Sequence, residues 1–176
     1  VALKPTIYKA NIALSDMDRE LYDTLSLTIA QHPSETLERM MVRVLAFCLN
    51  ARAGLQFTKG LSTPDEPDIV ARELDDQFAL WIDVGEPLPE RIKKATRIAK
   101  IVKVYSFNSK SSVWWQQNQQ KFRDLNVAVF QLPWEEVQAL AGLVQRTMDF
   151  SLTVTEGTVY VSGDVLGCEL QLVQLQ

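Results

Sequence analysis

Asp83 stands inside an apolar run, Leu80-Trp81-Ile82-Asp83-Val84, just ahead of a Gly85-Glu86-Pro87 break. An ionised carboxylate is costly to bury without a partner. The residue therefore belongs to a sheet rim, an ion pair or a cation site. If Asp75 and Asp76 form a two-residue hairpin turn, counting outward sets Asp68 opposite Asp83, with side-chain roots about 4.5–5.5 Å apart on one face. Facing carboxylates repel unless a cation lies between them or one carries a proton. A one-residue slip of the turn sets Asp68 against Gly85 instead. A third acid is Glu38. On a helical wheel of about 100° per residue, Leu37, Met40, Met41, Val44, Leu45 and Cys48 make the apolar face. Glu38 falls at its margin beside Leu45, suited either to a boundary salt bridge with a neighbouring arginine or to a view of the sheet edge. Glu35, Arg39 and Arg43 fall further out.

The cations lie just downstream. Lys93 and Lys94 open the helix after the Gly-Glu-Pro break. They make either a solvated basic face or a lysine leaning back over the strand end, where an ammonium group can orient water and stabilise phosphate charge. From Glu90 to Lys110 that one acid faces Arg91, Lys93, Lys94, Arg97, Lys100, Lys103 and Lys110. The chain as a whole has a net charge of -4, so this segment supplies the local basic patch that a nucleic-acid role needs. Trp114 and Trp115 precede an amide run, Gln116, Gln117, Asn118, Gln119 and Gln120. Aromatics stack bases, and amides read base edges or bond phosphates. The same pattern also fits tryptophans packed on a sheet with the amides in water.

Other chemistries find little support. His32 is the single histidine, which nearly rules out His-based zinc sites and weakens a Ser-His-Asp proposal. Beside Pro33 it reads as a helix-start residue. Lys59-Gly60 lacks the glycine-rich loop of a phosphate cradle. Cys48 and Cys168 fit no metal spacing, and both are expected as reduced thiols in a cytoplasmic protein. No apolar run approaches the roughly 18 residues of a membrane span, and "VALKPTIYKAN" has no signal-peptide pattern. No membrane partner is expected. Composition is ordinary for a globular chain, 47 % apolar and 23 % charged. The 176 residues suit one domain spanning 1–176.

Elements that would position these residues follow from periodicity. "PTIYKANIAL" and "LYDTLSLTIAQ" make a hairpin around "SDMDRE". "HPSETLERMMVRVLAFCLNA" is a helix starting at Pro33 or Ser34. Strands follow at "LQFTKG", "DIVAREL" and "FALWIDV", with "DDQ" as a tight turn. Next come a helix "LPERIKKATRIAK", a strand "IVKVYSF", a helix "SKSSVWWQQNQQKF", a strand "NVAVFQL" and a helix "PWEEVQALAGLVQRT". The tail holds two or three antiparallel strands joined at Glu156-Gly157 and around Ser162-Gly163. The central order is helix, three strands, helix, strand.

Together, "ALKPTIYKA", "HPSETLERMMVRVLAF", "LQFTKGLSTPDEPD", "LWIDVGEP", "RIKKA" and "WWQQNQ" resemble the bacterial YaeQ family over nearly the whole chain. The resemblance implies an α/β fold, a PD-(D/E)XK nuclease-like mixed sheet flanked by helices, with an N-terminal hairpin and C-terminal antiparallel strands. In that superfamily a helical acid, an Asp at the second core strand and an acid-x-Lys at the third bind a divalent metal. Glu38 matches the first, Asp68 of Pro67-Asp68 the second with Glu66 as a substitute, and Asp83 the third. Gly85 stands where the lysine is expected, and Lys93 or Lys94 would take its role. The resemblance thus implies Mg2+ or Mn2+ held by Asp68, Asp83 and Glu38, with phosphodiester hydrolysis on DNA or RNA. Arg97 and Lys100 would track the backbone, and Gln116 and Gln119 would contact the nucleic acid. The alternative is a non-catalytic nucleic-acid-binding or transcription-related protein on a nuclease-derived scaffold.

Overall fold

A computed structural model describes residues 4–59 and 65–176. Gly60, the last residue of the strand expected at "LQFTKG", lies outside them. In chain order the elements are β1 (Thr6–Asp16), β2 (Leu21–Gln31), α1 (Leu37–Leu49), β3 (Gln56–Phe57), β4 (Ile69–Arg72), β5 (Phe78–Val84), α2 (Pro89–Ile98), β6 (Ala99–Ser106), α3 (Ser111–Phe122), β7 (Ala128–Gln131), α4 (Trp134–Ala141), β8 (Thr147–Thr155), β9 (Thr158–Ser162), β10 (Gly167–Gln171) and β11 (Val173–Gln174).

Two sheets result, ordered β10-β9-β8-β1-β2 and β11-β7-β6-β5-β4-β3. Along β1, Ala10, Ile12 and Leu14 are buried while Lys9, Asn11 and Ala13 face out, the period-two alternation of a half-buried strand. β8 pairs parallel with β1, so the N-terminal hairpin and the C-terminal strands form one sheet. β11 crosses to the other sheet and pairs with β7.

α1 is buried without a break from Met40 to Cys48. A helix packed on one layer shows an apolar stripe; one enclosed all round does not. α1 touches β2 of the first sheet and β5 of the second, with α4 alongside. Its far end is held by Arg19, from the β1–β2 turn. The guanidinium donates to the carbonyls of Cys48 and Ala51 and pairs with buried Asp16 at 2.7 Å. Helix-end carbonyls need such donors when water is excluded.

Three expectations about boundaries are corrected. α1 starts at Leu37 rather than at Pro33 or Ser34, because the Thr36 hydroxyl accepts from the Arg39 N–H at 3.2 Å as the N-cap. Before it, His32 accepts from the Ser34 N–H in a separate turn. The β4–β5 connection is a three-residue loop, Leu74 to Asp76, rather than a two-residue turn. Glu73 and Gln77 close it, and Asp76 adopts φ 68°, the left-handed position such loops require. α4 ends at Ala141, where the Gly142 N–H turns back to the Gln138 and Ala139 carbonyls.

The second sheet sets up the site. β5, β6 and β7 run parallel, joined by crossovers through α2 and α3. Both helices cover one face of this sheet through Ile92, Ala95 and Phe122 against Trp81, Val102, Val104 and Val129. Consequently the carboxyl ends of β5, β6 and β7, and the starts of α2 and α3, share one rim. Open α/β sheets take ligands at this edge. Replacing Thr36 by Ala should cost about 1 kcal/mol, as removal of a hydroxyl N-cap does, measured by urea unfolding with an unchanged m-value.

Candidate functional site

The β4–β5 ladder pairs Ile69 with Ile82, Val70 with Trp81 and Ala71 with Leu80. This is the register the shorter turn required; a bulge at Ala71/Arg72 absorbs the extra loop residue. Asp68 and Asp83 are the next positions beyond the last pair. Here the ladder changes character. The Asp68 N–H donates to the Ile82 carbonyl at 2.9 Å, and the Asp68 carboxylate accepts from the Val84 N–H at 2.8 Å. A side chain thus replaces a backbone acceptor at the strand end.

Both carboxylates are buried, Asp83 at 3 % exposure and Asp68 at 6 %, and arginines hold both. Arg91, in the first turn of α2, donates from Nε to Asp83 Oδ2 at 2.7 Å and from Nη2 to Oδ1 at 3.3 Å. Trp81 Nε1 adds a third donor at 3.1 Å. The same Nη2 reaches the Glu66 carbonyl at 2.6 Å, tying the segment before β4 to the rim. Arg39 of α1 donates to Asp68 Oδ1 at 2.7 Å and to Glu35 Oε2 at 2.5 Å. Glu35 also receives both Nε and Nη2 of Arg43, at 2.8 and 2.6 Å, and Arg43 extends to the Ala30 carbonyl on β2. Carboxylate and guanidinium therefore alternate from the edge of the first sheet, along α1, to the rim of the second.

The wheel placed Glu35 and Arg43 toward solvent, and both are buried. The enclosure of α1 between two sheets is the reason, and i, i+4, i+8 spacing joins Glu35, Arg39 and Arg43 into one stripe. That spacing was the available signal. Arg91 is one of the cations of the basic segment, and its signal in the sequence is its place eight residues after Asp83 at a helix start.

Electrostatics follow the geometry. Burial pushes the Asp83 carboxyl above its ordinary 3.8; Arg91 opposes the shift, and the Asp68 charge adds to it. Burial works against the charge on Arg39 as well, but Asp68 and Glu35 outweigh it and hold the guanidinium protonated more firmly than usual.

The remaining sequence-derived residues are dispersed. Glu38 is half-buried, its carboxylate making no hydrogen bond or ion pair among the described residues, and Glu66 meets the cluster through its carbonyl. Lys93, Lys94 and Arg97 are exposed on α2 and make no ion pair among the described residues. The structure brings Arg91, rather than either lysine, onto Asp83. Lys100 pairs with Glu73 at 3.0 Å. Gln116 and Gln119 are exposed on α3. As they stand, the residues do not fit a divalent cation. Each oxygen of Asp68 and Asp83 already accepts an N–H. No group of three or more acid, histidine or cysteine side chains that could hold a metal occurs among the described residues.

Two outcomes test this arrangement. Asp68→Leu should destabilise by about 3 kcal/mol, because Arg39 is left short of a buried counter-charge, and adding Arg39→Met should recover part of the loss; denaturant unfolding of the two variants gives the comparison. Asp83 titrates higher folded than unfolded. Its contribution to stability is therefore full below about pH 3.8 and is lost as pH rises through the raised folded value. Carboxyl-carbon NMR should give a midpoint above 3.8, moved higher still by Arg91→Met.

The matching family model is described as YaeQ protein and covers residues 1–172. The chain is 41 % identical over 178 aligned residues to the uncharacterised YaeQ protein of Escherichia coli K12, covering all of this chain and 98 % of that one. The Salmonella typhi protein is 40 % identical with the same coverage. The crystal structure of YaeQ from Xanthomonas axonopodis pv. citri superposes with a TM-score of 0.95 at 38 % identity, over 98 % of each chain. That of YaeQ from Pseudomonas syringae gives 0.93 at 35 %, over 98 % of this chain and 96 % of that one. With sequence matched end to end and the same two-sheet fold, the chain belongs to the YaeQ family.

Proposed function

We propose that this protein binds nucleic acid through the outer surface of α2 and α3, as a non-hydrolytic member of a nuclease-like lineage. One observation carries the reading. The acids of the rim are neutralised internally by Arg39 and Arg91, while Lys93, Lys94 and Arg97 stay exposed and unpaired on α2 among the described residues. Charge that could have gone into ion pairs is left free for phosphates.

α3 lies beside α2 on the same face, and Trp114 Nε1 ties α3 to the connection leading into α2 by donating to the Pro87 carbonyl at 3.0 Å. Trp114 and Trp115 pack on Phe122, so they anchor α3 rather than wait for bases. Gln116, Gln117, Gln119 and Gln120 face water and supply neutral hydrogen-bonding groups next to the cations. Phosphate contacts of this kind position a nucleic acid without reading its sequence.

Anisotropy titrations with single- and double-stranded DNA and RNA test the reading. Affinity should fall steeply with salt. Replacing Lys93, Lys94 and Arg97 together by Ala should flatten the log–log slope by roughly 2–3 on duplex DNA. Absence of binding at low salt overturns the proposal. Cleavage that requires Mg2+ or Mn2+ and disappears in Asp83→Asn overturns its non-hydrolytic part.

A further inference from the structure

A cleft of about 300 Å³ opens at the carboxyl ends of β6 and β7, on the rim that carries Asp83 and Arg91. Asn108, Ser109, Ser112, Gln131, Trp134 and Glu135 line it. Its size is at the small end of the about 300–1,000 Å³ range of small-molecule sites, suited to one planar ring system with a short substituent. Trp134 supplies an aromatic wall, itself packed against Phe107 at a centroid distance of 6.3 Å.

The polar groups are fixed from behind. The Glu86 carboxylate accepts from the backbone N–H of Phe107 at 3.1 Å and from the Asn108 side-chain amide. Gln131 Nε2 donates to the hydroxyls of Ser111 and Ser112 at 3.0 and 3.1 Å. Ser111 in turn bonds Ser106, and both serines are buried. This internal bonding uses both N–H donors of the Gln131 amide and one of the two on Asn108. Three acceptors at the cleft have no partner among the described residues, the Asn108 and Gln131 side-chain carbonyls and the exposed Glu135 carboxylate, beside the second Asn108 N–H and the Ser109 and Ser112 hydroxyls. A flat ligand with N–H donors on its edge would complement them.

The geometry points to a pocket for a single nucleobase bearing an amino group. Adenine, cytosine and guanine present such donors on their edges, whereas uracil and thymine have no exocyclic amine. The base would stack on Trp134 and donate to Glu135 and the two amide carbonyls. This inference rests on the nucleic-acid reading of α2 and α3, and it adds a base preference that a surface of lysines and glutamines does not supply.

The test uses the full chain with CMP, AMP and UMP as probes, followed by calorimetry and by backbone NMR of residues 108–112 and 131–135. CMP or AMP should bind at least about tenfold more tightly than UMP, the weight of roughly one well-placed edge contact. Trp134→Ala should abolish binding and Trp134→Phe should retain it. Glu135→Gln, an exposed change that leaves the fold intact, should shrink the preference for the amino-bearing base. Equal affinity for UMP and CMP, or no saturable shift with any of the three, overturns the inference. Oligonucleotides would then still bind through α2 if the broader reading holds. Mononucleotide binding at the cleft without salt-dependent oligonucleotide binding would separate the two in the opposite sense.

Discussion

Three buried carboxylates, Glu35, Asp68 and Asp83, impose the constraint on which the architecture turns. Each sits where water is excluded, so each needs a cation and further donors to stay ionised. The fold provides three arginines from two helices. Arg39 and Arg43 come from α1 and Arg91 from α2, and their guanidinium planes offer the forked donors that carboxylates match. Because Arg43 also reaches the Ala30 carbonyl and Arg39 the Val84 carbonyl, the chain of charges spans from β2 to the end of β5. It fixes the two sheets relative to α1 with directional bonds, where apolar packing alone would leave register less defined. A buried ion pair is weak evidence for stability in itself, so its value here is as a positioning device.

That internal accounting shapes the surface. With Asp68 and Asp83 met by Arg39 and Arg91, Lys93, Lys94 and Arg97 of α2 make no ion pair among the described residues, while Lys100 at the start of β6 pairs with Glu73. An acidic chain thereby presents a cationic helix face. The same rim continues past Glu86 to the cleft at β6 and β7, where the Gln131 amide donors are consumed inside the protein and its side-chain carbonyl is left without a partner among the described residues. Charge and hydrogen-bond polarity thus change along one edge of one sheet, from cations on α2 to acceptors near Trp134.

Much of this was legible in the sequence. Strict alternation located β1 and β2, the apolar run located β5 to the residue, and the hairpin count placed Asp68 next to Asp83 despite a different loop. The bulge that compensated for the longer loop leaves no mark in composition. The partners of the acids were harder to read. A wheel assumes one buried face, and α1 has sheets on both sides, so the stripe Glu35, Arg39, Arg43 looked exposed when it was enclosed. Likewise, a basic segment read as a unit hides that Arg91 turns inward while Lys93 and Lys94 turn outward, a division set by where the first turn of α2 meets the rim.

The departure at position 85 has a backbone explanation. Gly85 leaves β5 with φ 121° while its N–H donates to the Tyr105 carbonyl, so the strand end stays in the sheet as the chain swings toward α2. A Cβ there would meet no atom within 4 Å; the obstacle is torsional, since L residues rarely adopt that φ and glycine does so freely. A lysine two residues after Asp83 would therefore have to give up this exit from the strand. With the exit kept, Glu86 is delivered to the N–H groups of Phe107 and Asn108, and Arg91 arrives over Asp83 from the helix that follows. The glycine exit at position 85 thus goes together with a rim whose acids are met by the protein's own guanidinium groups.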